Sequence, residues 1–168
     1  MQRKGNSRTK SAWDYALYFL ARRSHSEYEI REKLLAKGFT EEAVTEVLER
    51  LKAAGFLDDV RFARNWAAYR MATHPSGSRR LRQELQGRGV PSEMAAAVVA
   101  DLLPREEELE AARSLAERHR PRRGENREKY ARRLARFLWQ RGFDFEIVRQ
   151  VLGERLEGLY IDIDNRNL

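Results

Sequence analysis

Apolar side chains along this chain recur four residues apart and are then followed by a glycine and one more apolar residue. The unit occurs three times, at Ile30-Leu34-Gly38-Phe39, Leu81-Leu85-Gly89-Val90 and Leu134-Leu138-Gly142-Phe143. A four-residue period predicts an amphipathic helix, and the glycine after it can adopt the left-handed backbone that ends a helix. Apolar residues also recur at the fifth, ninth and tenth positions after each glycine. Each unit therefore predicts a helix, a turn and a second helix.

Capping residues and prolines mark the helix boundaries. Ser26 is followed three residues later by Glu29, which is the pattern of a capping box, and Thr40, Ser92 and Asp144 precede later helices. The prolines also fall between predicted helices, where a missing backbone donor costs little: Pro75, Pro91, Pro104 and Pro121.

A further amphipathic segment precedes each pair of helices, at residues 13–23, 60–72 and 105–118. The sequence therefore predicts an all-α fold of three tandem three-helix, helix-turn-helix-like repeats. Because units of this size are marginal alone, we expect neighbouring repeats to share contacts in an elongated, curved array. The predicted organisation is a basic flexible N-terminal tail, three repeats and a C-terminal tail, at residues 1–12, 13–59, 60–103, 104–156 and 157–168.

Composition excludes several classes of protein. The chain has no cysteine, which excludes disulfides, thiolate metal sites and a cysteine nucleophile. The apolar stretch Ala12–Ala21 carries Asp14 and is too short for a signal peptide or a membrane span, so we expect a cytoplasmic protein without membrane contact.

No catalytic signature is present: the sequence lacks a phosphate-binding loop, a dinucleotide fingerprint, a zinc-binding histidine pair and a nucleophile elbow. His25, His74 and His119 are far apart and are interpreted as surface histidines. Asp58 and Asp59 precede a helix, so we expect them to cap it rather than to bind a metal. The sequence therefore predicts no catalytic residue, no cofactor, no metal site and no enzyme activity.

Positive charge is concentrated in the second and third repeats. The net charge is +7, and residues 118–141 alone hold nine Arg and one Lys against two Glu. The second helix of the first two pairs is acidic, which disfavours its insertion into DNA. The arginines near the glycines are instead the candidate contacts to DNA phosphate or acidic protein groups: Arg79, Arg80, Arg82, Arg88, Arg132, Arg133 and Arg136. The alternative for each is a solvated helix face.

Aromatic residues also lie near these arginines. Trp66, Tyr69, Phe137 and Trp139 have helical spacing with leucines, so we interpret them as core residues, with base stacking as the alternative.

Three stretches resemble the RecX family. They are Leu20–Arg23 with Ser26 and Glu29, then Gly55–Asp59 with Arg61-Phe62-Ala63, then Gly77–Leu85 with Arg88-Gly89-Val90. The segment Asp-Asp-x-Arg-Phe-Ala is the most specific, because three-helix repeats in general do not need it. Residues at the positions of these motifs are Arg22, Arg23, Ser26, Glu29, Asp58, Asp59, Arg61, Phe62 and Gly77. We interpret Arg61 beside Asp58 as a structural ion pair.

The resemblance implies three tandem three-helix repeats and a regulator of the RecA recombinase. Such a protein binds the RecA nucleoprotein filament and inhibits ATP hydrolysis, strand exchange and LexA-cleavage coprotease activity. We also expect this chain to be a monomer and to contact single- or double-stranded DNA weakly. It would thereby modulate recombination, DNA repair and the SOS response. Filament capping, groove blocking and filament destabilisation all remain open. The second hypothesis is a sequence-independent DNA- or RNA-binding repeat protein, whose affinity would fall steeply with salt.

Overall fold

The computed structural model describes residues 11–164, of which 158–164 are described by their backbone alone. In this part of the chain there are nine α-helices and no strand. Their bounds are α1 (Ala12–Leu20), α2 (Glu27–Leu35), α3 (Glu41–Ala53), α4 (Asp59–Thr73), α5 (Ser78–Gln86), α6 (Ser92–Leu102), α7 (Arg105–Arg118), α8 (Arg127–Gln140) and α9 (Phe145–Asp164). The predicted all-α class and the predicted order of helix pairs are confirmed.

The three repeated glycines end α2, α5 and α8 as predicted. Gly38, Gly89 and Gly142 have φ values of 87°, 80° and 88°, in the left-handed region. At the third turn, the N–H of Phe143 donates to the carbonyl of Leu138, which satisfies an end-of-helix acceptor. The helix–glycine–helix pattern therefore correctly predicted a turn between two helices at each of the three glycines.

Most predicted caps are also confirmed. Ser26, Thr40 and Asp144 each accept a hydrogen bond from the backbone N–H three residues on. The prediction for Ser92 is wrong: Pro91 is the N-cap of α6, and Ser92 is its first helical residue. Helix α6 therefore starts without a side-chain cap hydrogen bond.

The helices reach further towards the termini than predicted. Ala12 begins α1 and is buried, and Ser11 caps that helix in a capping box with Asp14. At the other end, α9 continues to Asp164, so residues 157–164 are helical rather than a tail. The rest of the predicted tails, residues 1–10 and 165–168, lies outside the described residues.

Contacts divide the chain into two compact units. Among the described residues, unit 1 is 11–63 together with Arg88–Val90, and unit 2 is Arg64–Gly87 together with 91–164. This division cuts α4, so the repeat boundaries drawn from the sequence stay a prediction. Each unit has an apolar core: Leu34 lies in that of unit 1, and Leu134 and Leu138 lie in that of unit 2. The other two leucines of the repeated pattern, Leu81 and Leu85, are also buried. Within residues 11–164, no helix combines the length and apolar character that crossing a bilayer requires.

Candidate interaction surface

Ser26 and Glu29 bind the turn around Arg88 within unit 1. The buried Ser26 hydroxyl accepts from the N–H of Glu29 and donates to the carbonyl of Arg88 at 2.6 Å. The Glu29 carboxylate binds the guanidinium groups of Arg23, at 2.8 Å, and Arg88. Burial raises the pKa of Glu29, but these two arginines outweigh it and hold that pKa below its ordinary value. These four motif residues thus form a structural network.

Asp58 and Asp59, which both lie in unit 1, cap two different helices. Asp58 accepts from the N–H of Arg61 at 2.9 Å and so caps α4, whereas Asp59 accepts from the N–H of Glu27 at 2.8 Å and so caps α2. Burial raises the pKa of Asp59, which the hydrogen bond from Glu27 partly offsets. The Arg61 guanidinium donates to the carbonyl of Gly55 at 3.1 Å rather than forming the predicted ion pair with Asp58.

Gly77 makes a close backbone contact within unit 2. Its N–H donates to the carbonyl of Arg141 at 2.9 Å, and a Cβ at Gly77 would lie 2.4 Å from the backbone of Gly142. The next residue, Ser78, donates its N–H to the buried carboxylate of Glu108 at 2.7 Å. Glycine is required here because only a residue without a side chain permits this approach.

The two remaining motif residues differ in environment. Phe62 is buried in the core, whereas Arg22 is exposed and donates to the hydroxyl of Tyr18 at 3.0 Å. Most motif residues therefore serve packing, capping or ion pairing inside a unit.

The surface interpretation of the histidines is wrong for His25. Its side chain is only 5% exposed, and its Nδ1 lies 2.9 Å from the carbonyl oxygen of Arg23. His119 stacks on Phe137 with ring centroids 4.7 Å apart, while His74 is exposed as predicted. Burial lowers the pKa of both His25 and His119. Among the described residues, no cluster of His, Asp or Glu could hold a metal ion.

Arg79 and Arg80 contact the C-terminal end of α8. The Arg79 guanidinium lies 4.0 Å from the ring centroid of Trp139 and donates to that residue's carbonyl. Arg80 donates to Glu84 at 3.0 Å and to the carbonyl of Gln140 at 3.3 Å. Both side chains therefore help to hold α5 against α8 in unit 2.

Arg132 and Arg133 are neighbours on α8 with different roles. Arg133 binds Glu125 through two hydrogen bonds of 2.8 and 2.6 Å and also contacts the ring of His119. The hydrogen bonds from Arg133 lower the pKa of Glu125 to about 2. Arg132 pairs with Glu128 at 3.1 Å, but both side chains are largely exposed, so this pair contributes little to stability.

Three of the predicted arginines leave their charge on the surface of unit 2. Arg82 on α5 and Arg132 and Arg136 on α8 are exposed. Arg82 lies one turn from Arg79, and Arg136 lies one turn from both Arg132 and Trp139; residues three or four apart are neighbours on a helix. Since Arg79 packs on Trp139, these residues form one surface, here called the basic face: Arg79, Arg82, Arg132, Arg136 and Trp139.

The core interpretation of the aromatic residues is wrong for two of them. Trp139 is 47% exposed and Tyr69 is 61% exposed. Phe145, which the sequence did not single out, is 66% exposed at the start of α9. The apolar pattern of the sequence carries no signal of this exposure.

Together these features define an all-α protein of tandem three-helix units in which the motif residues stabilise the units and a basic face lies open on unit 2. Family models match the chain in three consecutive parts: the first three-helix domain of RecX at residues 12–51, the second at 58–99 and the third at 106–152. The chain belongs to the RecX family of regulatory proteins.

Relatives and solved structures agree with this assignment. The regulatory protein RecX of Prosthecochloris aestuarii is 37% identical over 90% of this chain and 97% of its own length. The regulatory protein RecX of Geobacillus thermodenitrificans is 36% identical over 86% of this chain, which spans only 54% of that longer relative. The crystal structure of RecX from Lactobacillus salivarius superposes with a TM-score of 0.78 at 19% identity, over 86% of this chain and 94% of that one. The predicted three-repeat fold is thereby confirmed.

Proposed function

We propose that this chain is a non-enzymatic cytoplasmic regulator that binds the RecA–DNA filament and inhibits RecA. The observation that carries the proposal is the match of all three RecX domains, in order, along one chain. Inhibition would reach ATP hydrolysis, strand exchange and LexA coprotease activity, and so modulate recombination, DNA repair and the SOS response. The chain would act as a monomer without cofactor.

The basic face of unit 2 supports this proposal. Arg82, Arg132 and Arg136 place exposed guanidinium groups beside Trp139, and guanidinium binds both carboxylate and phosphate. Tandem helical units suit a repeating polymer, because several weak contacts on one chain add by effective concentration. Weak binding to single- or double-stranded DNA would follow from the same charges.

The alternative is a sequence-independent DNA- or RNA-binding protein. The exposed ring of Trp139 favours it, because bases stack on aromatic side chains next to arginines. The two functions differ in what they require: a filament regulator needs RecA, whereas a generic binder acts by coating nucleic acid.

The deciding experiment measures the DNA-dependent ATPase rate of RecA while this protein is titrated in, with single-stranded DNA in excess. We expect the rate to fall when the protein is far below stoichiometric with RecA. A rate that stays constant until the free DNA is coated would instead establish the generic binder.

The contact residues are tested by replacing exposed arginines that do not hold the fold. We predict that Arg82→Ala, Arg132→Ala and Arg136→Ala together preserve helical content and weaken inhibition about tenfold or more, since each lost contact to a charged partner is worth roughly 0.5–1 kcal/mol. The matched control removes the same charge from other exposed arginines of unit 2: Arg118, Arg123 and Arg127. Equal inhibition by both triple variants would contradict the assignment of the basic face. Arg79, Arg80, Arg88 and Arg133 are left intact because their structural contacts would confound the result.

A further inference from the structure

An apolar groove lies open between α8 and α9 in unit 2, and Arg136 and Trp139 of the basic face are among the residues that line it. It encloses about 380 Å³, which falls in the range of roughly 300–1,000 Å³ typical of binding clefts. The groove is lined by apolar side chains: Ala135, Trp139, Phe145, Val148 and Leu152. Arg136 of α8 and Arg149 of α9 flank this lining.

Two large side chains of the groove are exposed to an extent that core packing does not explain. Phe145 is 66% exposed and Trp139 is 47% exposed. Trp139 is also held in place, because the Arg79 guanidinium lies 4.0 Å from its ring centroid and donates to its carbonyl. A rigid, exposed aromatic side chain in a concave apolar surface is typical of an anchor position in a protein interface.

The charged residues around the groove determine which ligand charge it favours. Arg136 is exposed, the Arg149 side chain is 70% exposed, and Arg132 lies one turn before Arg136 on α8. Glu146 pairs with Arg149 at 2.6 Å and Glu128 pairs with Arg132 at 3.1 Å. With Arg136 included, three arginines face two carboxylates. The border therefore favours a ligand with negative charge at its edges.

The lining distinguishes a protein ligand from a nucleic acid. Phosphate would bind the arginines but gain nothing from Val148, Leu152 and Ala135, which offer only apolar surface. An amphipathic helix satisfies both features, because its apolar stripe fills the groove while acidic residues on either side meet the arginines.

We propose that the groove between α8 and α9 binds an acidic amphipathic helix of a partner protein, with Trp139 and Phe145 contacting its apolar face and Arg136 and Arg149 its carboxylates. The proposal rests on the proposed function in placing that helix on the RecA filament. It assigns this part of the surface to protein rather than to DNA.

The test uses the full chain and a fluorescein-labelled helical peptide of Ala, Glu and Leu, with leucines at i, i+3, i+4 and i+7. Fluorescence anisotropy measures binding of this acidic peptide and of a second peptide in which lysine replaces each glutamate. Phe145→Ala removes the most exposed anchor, and Tyr69→Ala is the matched control because Tyr69 is similarly exposed, at 61%, elsewhere in unit 2.

We expect the acidic peptide to bind, Phe145→Ala to weaken it about tenfold, and Tyr69→Ala to leave it unchanged. Arg149→Glu should weaken the acidic peptide and strengthen the lysine peptide, a reversal that loss of folding would not produce. Equal binding to wild type and Phe145→Ala would overturn the proposal, as would preference for the lysine peptide. Self-association in sedimentation that Phe145→Ala abolishes would assign the groove to a second copy instead. Competition by a single-stranded oligonucleotide with the same Phe145 dependence would assign it to nucleic acid.

Inhibition of the RecA ATPase by the same variants separates this proposal from the proposed function. Full inhibition by Phe145→Ala would overturn the groove's role on the filament and leave the function standing. If even wild type fails to inhibit RecA, the proposed function fails, while peptide binding still reports on the groove.

Discussion

A buried carboxylate takes the place of an N-cap side chain on α5 in unit 2. Gly77 is the N-cap of α5 and has no side chain with which to accept a hydrogen bond. Glu108, on the first turn of α7, is 5% exposed and accepts from the N–H of Ser78 at 2.7 Å. We predict that Glu108→Ala destabilises the protein because it leaves that N–H without an acceptor.

The expected loss is about 2 kcal/mol in the free energy of unfolding. Losing an N-cap side chain costs about 0.5–2 kcal/mol, and burying a donor without an acceptor costs about 1–3 kcal/mol. The two figures describe the same loss and are not added. Burial raises the pKa of Glu108, with nearby Asp144 acting in the same direction and the bond from Ser78 opposing it. Removing the carboxylate therefore also relieves a desolvation cost, which keeps the expected loss moderate.

The interaction itself is isolated by a double-mutant cycle. Ser78→Pro removes both the backbone N–H and the hydroxyl with which Ser78 binds Glu108, so the cycle measures the whole interaction between the two residues. Proline is accepted at this position because Ser78 is the first residue of α5. Urea unfolding followed by circular dichroism gives the stability of wild type, Glu108→Ala, Ser78→Pro and the double variant. We expect the double variant to lose at least about 1 kcal/mol less than the sum of the single losses. Glu107→Ala, an exposed neighbour on the same turn, is the control and should change stability by about 0.5 kcal/mol or less. Additive losses in the cycle would refute the capping role of Glu108.

Two further predictions concern the close contact between Gly142 and Arg80 and the loss of stability at low pH through Glu84. Gly142→Ala and Gly38→Ala impose the same backbone strain, since their φ values are 88° and 87°, but a Cβ at Gly142 would lie 2.3 Å from the Cβ of Arg80 whereas one at Gly38 meets nothing within 4 Å. We expect a loss of about 1 kcal/mol for Gly38→Ala and about 3 kcal/mol or more for Gly142→Ala, and equal losses in urea unfolding would show that the contact yields. Burial raises the pKa of Glu84, yet its bonds to two arginines hold that pKa below the ordinary value; its stabilising contribution is therefore present above the ordinary pKa and lost as pH falls. Glu84→Gln should flatten the fall in unfolding free energy on acidification, and an unchanged slope would contradict this.

The helical architecture was predictable because periodicity and turn chemistry report directly on local structure. The positive φ of Gly38, Gly89 and Gly142 follows from their place after an apolar four-residue period. Local signals fail where the helix starts one residue away from the capping side chain: Pro91 is the N-cap of α6, which therefore has no side-chain cap hydrogen bond, and Ser92 is its first helical residue. They also fail for His25, which is buried although its sequence neighbours are polar, because its ring packs near Phe19 and binds the carbonyl of Arg23.

The candidate site was less predictable, because the sequence shows which residues are charged but not which of them form ion pairs in the folded protein. Arg88 and Arg133 look like free cations in the sequence, but their partners Glu29 and Glu125 are 59 and 8 residues away. No local rule anticipates a pair closed by tertiary packing. Likewise, helical spacing placed Trp139 among core residues, whereas its position near the end of α8 leaves it half exposed.

The motif residues and the proposed contact residues fall in different places for a physical reason. Ser26 and Gly77 are 51 residues apart and occupy the same position in successive repeats. Ser26 donates its hydroxyl to the carbonyl of Arg88, and Gly77 donates its N–H to the carbonyl of Arg141. In both cases the acceptor is the carbonyl just before a turn glycine. The two contacts are therefore equivalent, but the donor is a side chain in unit 1 and the backbone in unit 2. The motif thus specifies how the start of one helix holds the turn of the next repeat, and residues used in this way are too enclosed to reach a partner. We therefore expect partner contacts from exposed positions such as Arg82, Arg132, Arg136 and Phe145, of which only Arg82 lies within a motif stretch.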